Sequence, residues 1–222
     1  MEISLTEENY IKAVFSISAG NGGGGASTNQ LSAHLNNKAA SVTDMLRRLA
    51  EKKLIHYEKY KNVTLTAKGE RMALSVVRKH RLWEVFLTQT LRFKWDEVHE
   101  IAEQLEHIKS DELINRLDHF LGHPRFDPHG DPIPDSRGHV HPLKARPLNT
   151  FGARGQYVFM GVAEHSSAFL QYLSSLHLSI GDTIKIEEIN NFDNTLKVKI
   201  NKQPSCFFSE KVSCNILVEE KK

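Results

Sequence analysis

The chain has 222 residues, 40% of them hydrophobic and 25% charged, an ordinary balance for a folded soluble protein that excludes a fibrous or wholly disordered one. Its length suits two domains with room for a third small module, and no apolar run approaches the roughly 20 residues of a membrane-spanning helix. The formal net charge of +2 conceals an asymmetry: residues 1–80 hold twelve Lys and Arg against seven Asp and Glu, a net +5, whereas residues 95–135 hold three against eleven, a net −8.

A basic head attracts phosphate backbones and acidic helices attract cations, so the two halves point to different ligands. The opening MEISLTEENYIKAVF carries Glu7 and Glu8 where an export signal needs basic charge followed by an apolar core, and the expected location is the cytoplasm. Two cysteines, Cys206 and Cys214, are too few for a disulfide framework or a thiolate zinc site. They are expected to be reduced and partly buried.

Leu5, Tyr10, Ile11, Val14, Phe15 and Ile17 recur at helical spacing and predict a first helix over Glu7–Ile17, with Thr6 as its cap. The following GNGGGGAST stretch lacks the Gly-Lys-Ser/Thr ending of a phosphate-binding loop and reads as a flexible turn. Ser27 or Thr28 then caps a second helix, Asn29–Leu35. Lys38–Lys53 forms a third, with Val42, Met45, Leu46 and Leu49 on its buried face. Short strand-like runs at Leu54–Tyr57 and Val63–Thr66 flank a basic turn, and the order of these elements spells a winged helix-turn-helix whose third helix enters the major groove. Long periodic segments predict helices over Ala67–Leu91, Trp95–His107 and Asp111–Leu121. His123–Leu148, rich in Pro, Gly, His and Asp, reads as a linker. Beyond it, runs at Gln156–Val162, Thr183–Ile189, Leu196–Ile200 and Ile216–Val218 surround a helical turn near Ala168–Leu176 and suggest a small barrel.

One helix carries an unusual stripe: His99, Glu103, Glu106 and His107 stand at i, i+4, i+7 and i+8 and share a face. The preceding long helix adds His80 and Glu84 at i, i+4. Such pairs are common on solvated helices. Two stripes on neighbouring helices, in acidic surroundings and with no Lys or Arg partner apparent on the Glu103 stripe, point instead to a cation, because clustered carboxylates otherwise repel. Carboxylate and imidazole without sulfur favour Mn²⁺ or Fe²⁺, while affinity order alone permits Co²⁺, Ni²⁺ and Zn²⁺.

The run VVRKHRLWEVFL (Val76–Leu87), the His99–His107 helix and the stretch LGHPRFDPHGDPIP (Leu121–Pro134) resemble the diphtheria-toxin-repressor family of iron- and manganese-dependent regulators, and the likeness spans nearly the whole chain. The resemblance implies a mainly α fold with a small β component: a winged helix DNA-binding domain over 1–70, a helical metal-binding and dimerisation domain over 71–140, and an SH3-like β-barrel over 141–222. It further implies a homodimer that represses transcription from operator DNA when Mn²⁺ or Fe²⁺ is bound. Carried over position by position, a primary metal site takes Glu103, Glu106, His107 and Asn9. An ancillary site takes His80, Glu84 and His99, completed from the barrel by Glu164 or His165. Two positions depart from the family pattern. Glu103 stands where iron sensors tend to carry Cys, which favours manganese, and Asn9 stands where manganese sensors carry Asp, which leaves the adjacent Glu8 as a substitute donor. Lys12 occupies a position that supplies a carboxylate in two-metal manganese sensors, so a binuclear arrangement is not expected.

For DNA, the exposed start of the third helix offers Lys38, Ala39, Ala40, Ser41, Thr43 and Asp44, with Arg47 and Arg48 a turn further on. Ala39 and Ala40 suit thymine methyls, Ser41 and Thr43 suit phosphates or bases, Asp44 suits cytosine N4, and Lys59 and Lys61 on the wing suit the backbone. Two competing readings are a metalloenzyme with a helical His/Glu site, which leaves the basic head without purpose, and a metal-independent regulator whose acids merely decorate an interface. A membrane adaptor built on the barrel has no anchor sequence.

Overall fold

The computed structural model describes residues 3–221. The chain divides into two compact units: the first comprises residues up to Trp83 with Glu103–Arg116 and Pro134–Val140, the second Glu84–Ala102, Leu117–Ile133 and the chain from His141 onward.

The first unit opens with α1 (Leu5–Gly20), α2 (Thr28–His34) and α3 (Ala39–Glu51), followed by a two-stranded antiparallel hairpin of β1 (Ile55–His56) and β2 (Thr64–Leu65). Ser4, not Thr6, caps α1: its hydroxyl accepts from the Glu7 amide, and the Glu7 carboxylate accepts from the Ser4 amide. This reciprocal box satisfies two of the orphan donors at a helix start and draws the helix two residues upstream of the expected boundary. Ser27 caps α2 through the same device with Gln30. Ile11, Val14, Leu31, Val42, Leu46, Leu49, Leu54 and Val63 close the core between the three helices and the hairpin. Thus the apolar face of α3 is spent inward and its polar start is left in solvent.

Three more helices follow, the long α4 (Ala67–Gln89) and the shorter α5 (Val98–Leu105) and α6 (Asp111–Phe120). In the second unit a six-stranded antiparallel sheet runs in the order β3-β8-β4-β5-β6-β7, from β3 (Arg146–Pro147), β4 (Gln156–Val162), β5 (Thr183–Ile189), β6 (Leu196–Ile200), β7 (Cys206–Phe208) and β8 (Ile216–Glu220). Helix α7 (Ser167–Ser175) contributes Leu170 and Leu173 to its core, beside Phe159, Ile184, Ile186, Val198, Phe208 and Val218. The alternation of the strands puts these apolar residues on one face. Sequence periodicity missed β3, β7 and the one-turn α8 (Glu210–Ser213), which are too short to show a period. Cys206 and Cys214 are free thiols of intermediate burial.

The linker expected over His123–Leu148 needs correction. Its first half is packed structure: Phe126 bridges to Pro132, and Asp127, His129 and Ile133 are buried. One carboxylate oxygen of Asp127 accepts from the amides of His129 and Asp131, tying a tight turn. Gly130 in that turn has φ +91°, and a Cβ there would stand 2.2 Å from the Met160 carbonyl oxygen, so only glycine admits this approach to β4.

Candidate metal centres and nucleic-acid interface

Within the first unit, α1 and residues 103–107, the end of α5 and the turn after it, bring opposite charges together. Glu106 is wholly buried, and both its carboxylate oxygens lie 2.7 Å from the Lys12 ammonium, which also contacts Glu103. His80 of α4 places Nδ1 2.5 Å from Glu106. His107 turns Nδ1 to Glu8, 2.6 Å away, and leaves Nε2 facing Glu106 at 3.9 Å. Asn9, on the same turn of α1 as Glu8, buries a side-chain oxygen with no hydrogen-bond partner among the described residues.

These contacts revise the expected groupings. The acids were read as lacking a basic partner because only their own helix was considered; Lys12 supplies one from 91 and 94 residues away. His80, expected to share a site with Glu84 and His99, also contacts Glu106. Glu8 grips the far nitrogen of His107, the role of a carboxylate that fixes the tautomer and aim of an imidazole ligand. The donor set of buried carboxylate, two imidazoles, a half-exposed Glu103 and the orphaned Asn9 oxygen fits a hard divalent ion.

Within the second unit lies a further cluster. Glu84, Asp127 and His129 are all buried and present one donor atom each within 4.8 Å of one another. His129 Nε2 donates to the Trp95 carbonyl at 2.8 Å, leaving Nδ1 3.6 Å from Glu84. Burial pulls the His129 pKa down, but the hydrogen bond and charge of Glu84, with the charge of Asp127, outweigh it and raise the value to about 9. His99 Nδ1 is 3.6 Å from the other oxygen of Glu84. Of the two barrel candidates, His165 faces this group: its ring lies 5.2 Å from that of His129 and its Nε2 3.6 Å from Asp131. Glu164 instead accepts from the Ser166 amide, which holds its carboxyl below the usual value. Asp127 and His129 were missed because a Pro- and Gly-rich stretch was taken for linker. Its two His and two Asp between His123 and Pro134 were the available signal.

On the opposite function, Lys38, Ala39, Ala40, Ser41, Asp44, Arg47 and Arg48 are all exposed along the start and outer face of α3. Thr43 is half-buried and its hydroxyl donates to the Ala39 carbonyl, so in this state it has no proton to give a phosphate oxygen. Arg47 pairs loosely with Asp44 at 3.3 Å in full solvent, a contact cheap to exchange for a phosphate. On the wing, Lys59 and Lys61 are exposed and Lys61 meets Glu58 at 2.5 Å. Tyr60, between them, is 92% exposed, with Lys59 over its ring at 4.9 Å. Tyr60 thus adds an exposed aromatic ring to the basic wing tip, a feature that attention to charge alone overlooked.

Comparison with known proteins identifies the domains in this order. Residues 2–63 match the model of the iron dependent repressor N-terminal DNA binding domain, 66–135 that of the iron dependent repressor metal binding and dimerisation domain, and 146–220 that of the FeoA domain. A solved manganese-dependent transcriptional repressor in complex with manganese superposes with a TM-score of 0.86 at 31% identity, covering 97% of this chain and all of that one. The iron-dependent repressor IdeR of Mycobacterium leprae (strain TN) is 33% identical over 105 residues, 47% of this chain and 46% of that protein. A probable metal transport system membrane protein of Chlamydia trachomatis is 46% identical over 71 residues, 32% of this chain and 16% of that protein. The chain therefore spans less than half the length of these two curated relatives. Among the described residues no helix is long and apolar enough to cross a membrane. A winged helix head, buried carboxylate and imidazole clusters and a C-terminal sheet in this order, with a full-length structural match at 31% identity, place the chain in the iron-dependent repressor family of metal-dependent transcriptional repressors.

Proposed function

We propose that this protein is a cytoplasmic, non-enzymatic repressor that binds operator DNA as a homodimer when Mn²⁺ or Fe²⁺ is held between α1 and α5. The observation that carries this reading is the convergence, within one unit, of Asn9 and Lys12 from the DNA-reading head with Glu103, Glu106 and His107. We assign the domains as 1–70, 71–140 and 141–222, a division supported by family matches that break near the same points.

Glu106, Glu103, His107, His80 and the Asn9 oxygen hold the ion, and Glu8 orients His107. A bound divalent ion supplies charge neutralisation and ligand bonds that tie α1 to α5. Tying these helices fixes the orientation of α3, and a dimer then presents two recognition helices at a set spacing that half-sites must match. Raising a DNA-competent population from a few per cent to dominance needs about 3–5 kcal/mol of differential binding. Oxygen and nitrogen donors without thiolate support manganese ahead of iron, with Co²⁺, Ni²⁺ and Zn²⁺ as substitutes in solution. Glu84, Asp127 and His129, with His99 and His165 beside them, form the ancillary site. Exposed Leu91, Phe93 and Phe120, the last 67% accessible, support burial of this face in a dimer.

The test is an operator-binding titration against Mn²⁺, Fe²⁺, Co²⁺ and Zn²⁺, repeated on Glu106→Ala and His107→Ala. Both substitutions are expected to abolish metal-stimulated binding with the fold intact by circular dichroism. An unchanged metal response in either refutes the site, and equal DNA affinity with and without chelator in the unaltered chain refutes the function.

A further inference from the structure

Lys12 has filled its bonding capacity. An ammonium has three donors, and here it meets three carboxylate oxygens: one of Glu103 and both of Glu106. Its side chain is 15% exposed and that of Glu106 is fully buried, so little solvent competes for these contacts. The bonds run from α1 to Glu103 in the last turn of α5 and to Glu106 in the turn directly after it, the same segments that the proposed divalent ion ties together. A divalent ion on the Glu106 oxygens would stand at contact distance from the Lys12 ammonium, and two cations that close repel strongly where water is scarce.

We propose that Lys12 is a tethered competitor for the metal. Its ammonium holds Glu103 and Glu106 in the metal-free chain and must swing away before a divalent ion is bound there, so this residue sets the metal concentration at which the centre fills. The inference rests on the metal-centre reading above and adds the residue that opposes occupancy. The four-carbon lysine stem is long enough to carry the charge from the carboxylates to solvent without moving α1. A single-charge competitor also explains how carboxylates this close stay together in the absence of metal. The centre would then have two clasped states, one weak and lysine-held, one strong and metal-held.

The test compares the full-length chain with Lys12→Met and Lys12→Gln. Mn²⁺ binding is measured by calorimetry and by the electron paramagnetic resonance of free Mn²⁺, and thermal unfolding is followed in chelator and in saturating Mn²⁺. Removing the competitor is expected to tighten Mn²⁺ binding about tenfold or more. It should lower the melting temperature in chelator and leave that of the Mn²⁺-loaded protein unchanged. The glutamine variant keeps a hydrogen bond to Glu106 and serves if the methionine variant does not fold without metal. Adding Glu106→Gln should erase the tightening, assigning it to this centre and not to the Glu84 cluster.

Equal or weaker Mn²⁺ binding in both Lys12 variants overturns the proposal and leaves a permanent structural ion pair, as does an equal loss of melting temperature with and without Mn²⁺. If Mn²⁺ stabilises all proteins by the same amount, the metal reading stands and the competitor falls. If it stabilises none, both fall.

Discussion

The two carboxylate clusters of this chain balance their charge in different ways. In the first unit Glu103 and Glu106 face a lysine, a cation that leaves only by moving its side chain. In the second, Glu84 and Asp127 face His129, whose raised pKa makes it a cation that leaves by losing a proton. On the proposed reading, exchange of the resident cation for a metal would be a conformational event at one cluster and a protonic event at the other. The first suits a threshold sensor, and the second a site whose filling follows pH as well as metal.

The largest expected effect comes from removing the scaffold of the second cluster alone. Gly130→Ala forces a Cβ to within 2.2 Å of the Met160 carbonyl oxygen and 2.5 Å of the Gly161 Cα, at a φ of +91°. A cost above about 3 kcal/mol is expected, read as a fall in the chemical-denaturation midpoint of the second unit. An unchanged midpoint would mean that the turn carrying Asp127 and His129 is not braced on β4.

Next in size is the separation between ligands. Glu106→Ala is expected to abolish Mn²⁺-stimulated operator binding, a loss of about a hundredfold or more, whereas Glu84→Ala should weaken it about tenfold, both measured by fluorescence anisotropy in buffered Mn²⁺. Equal losses would break the distinction and make the clusters partners in one switch.

A smaller effect tests the proton at His129. Its folded pKa, about 9, lies above the unfolded value of 6.5, so in chelator its pairing with Glu84 stabilises the fold fully below pH 6.5. That contribution is lost as pH rises through about 9. The second unit should melt progressively lower from pH 7 to pH 9.5, and His129→Gln should flatten the slope. A wild-type slope that persists in the variant would move the titration to another group.

How these features could be read in advance depended on range. Helical periods survive in α1, α3 and α4 because amphipathic burial repeats every turn, and the stripe of Glu103, Glu106 and His107 was visible for the same reason. The Ser4–Glu7 capping box was also present in the residues, yet Thr6 was preferred by proximity to the apolar run. Lys12 and Glu106 meet across 94 residues, and no local pattern encodes that contact. Asp127 and His129 were concealed differently: the Pro and Gly that make a stretch look unstructured are what permit the tight turn that buries them. His80 pairs with Glu106 because packing chose between two faces that spacing left equivalent.

An acid and lysine pair outside the two clusters gives the baseline for both. Glu7 meets Lys52, at the end of α3, at 2.6 Å, with the Glu7 side chain 9% exposed, and it also accepts from the Ser4 amide. Burial pushes its carboxyl up, but Lys52 and the Ser4 amide outweigh this and hold it below the ordinary value of 4.5. A depressed folded pKa contributes stability above pH 4.5 that is lost as the pH falls through the lower folded value. Glu7→Gln should therefore cost about 1 kcal/mol at pH 7, from the weakened cap and ion pair, and nearly nothing once acid has protonated the wild-type carboxyl. Because this pair closes a helix start and faces no imidazole, Mn²⁺ should stabilise the variant and the wild type by the same increment in calorimetric melts. A larger increment in the variant would show that any severed acid and lysine pair favours metal, and the contrast between Lys12 and the rest of the chain would lose its meaning.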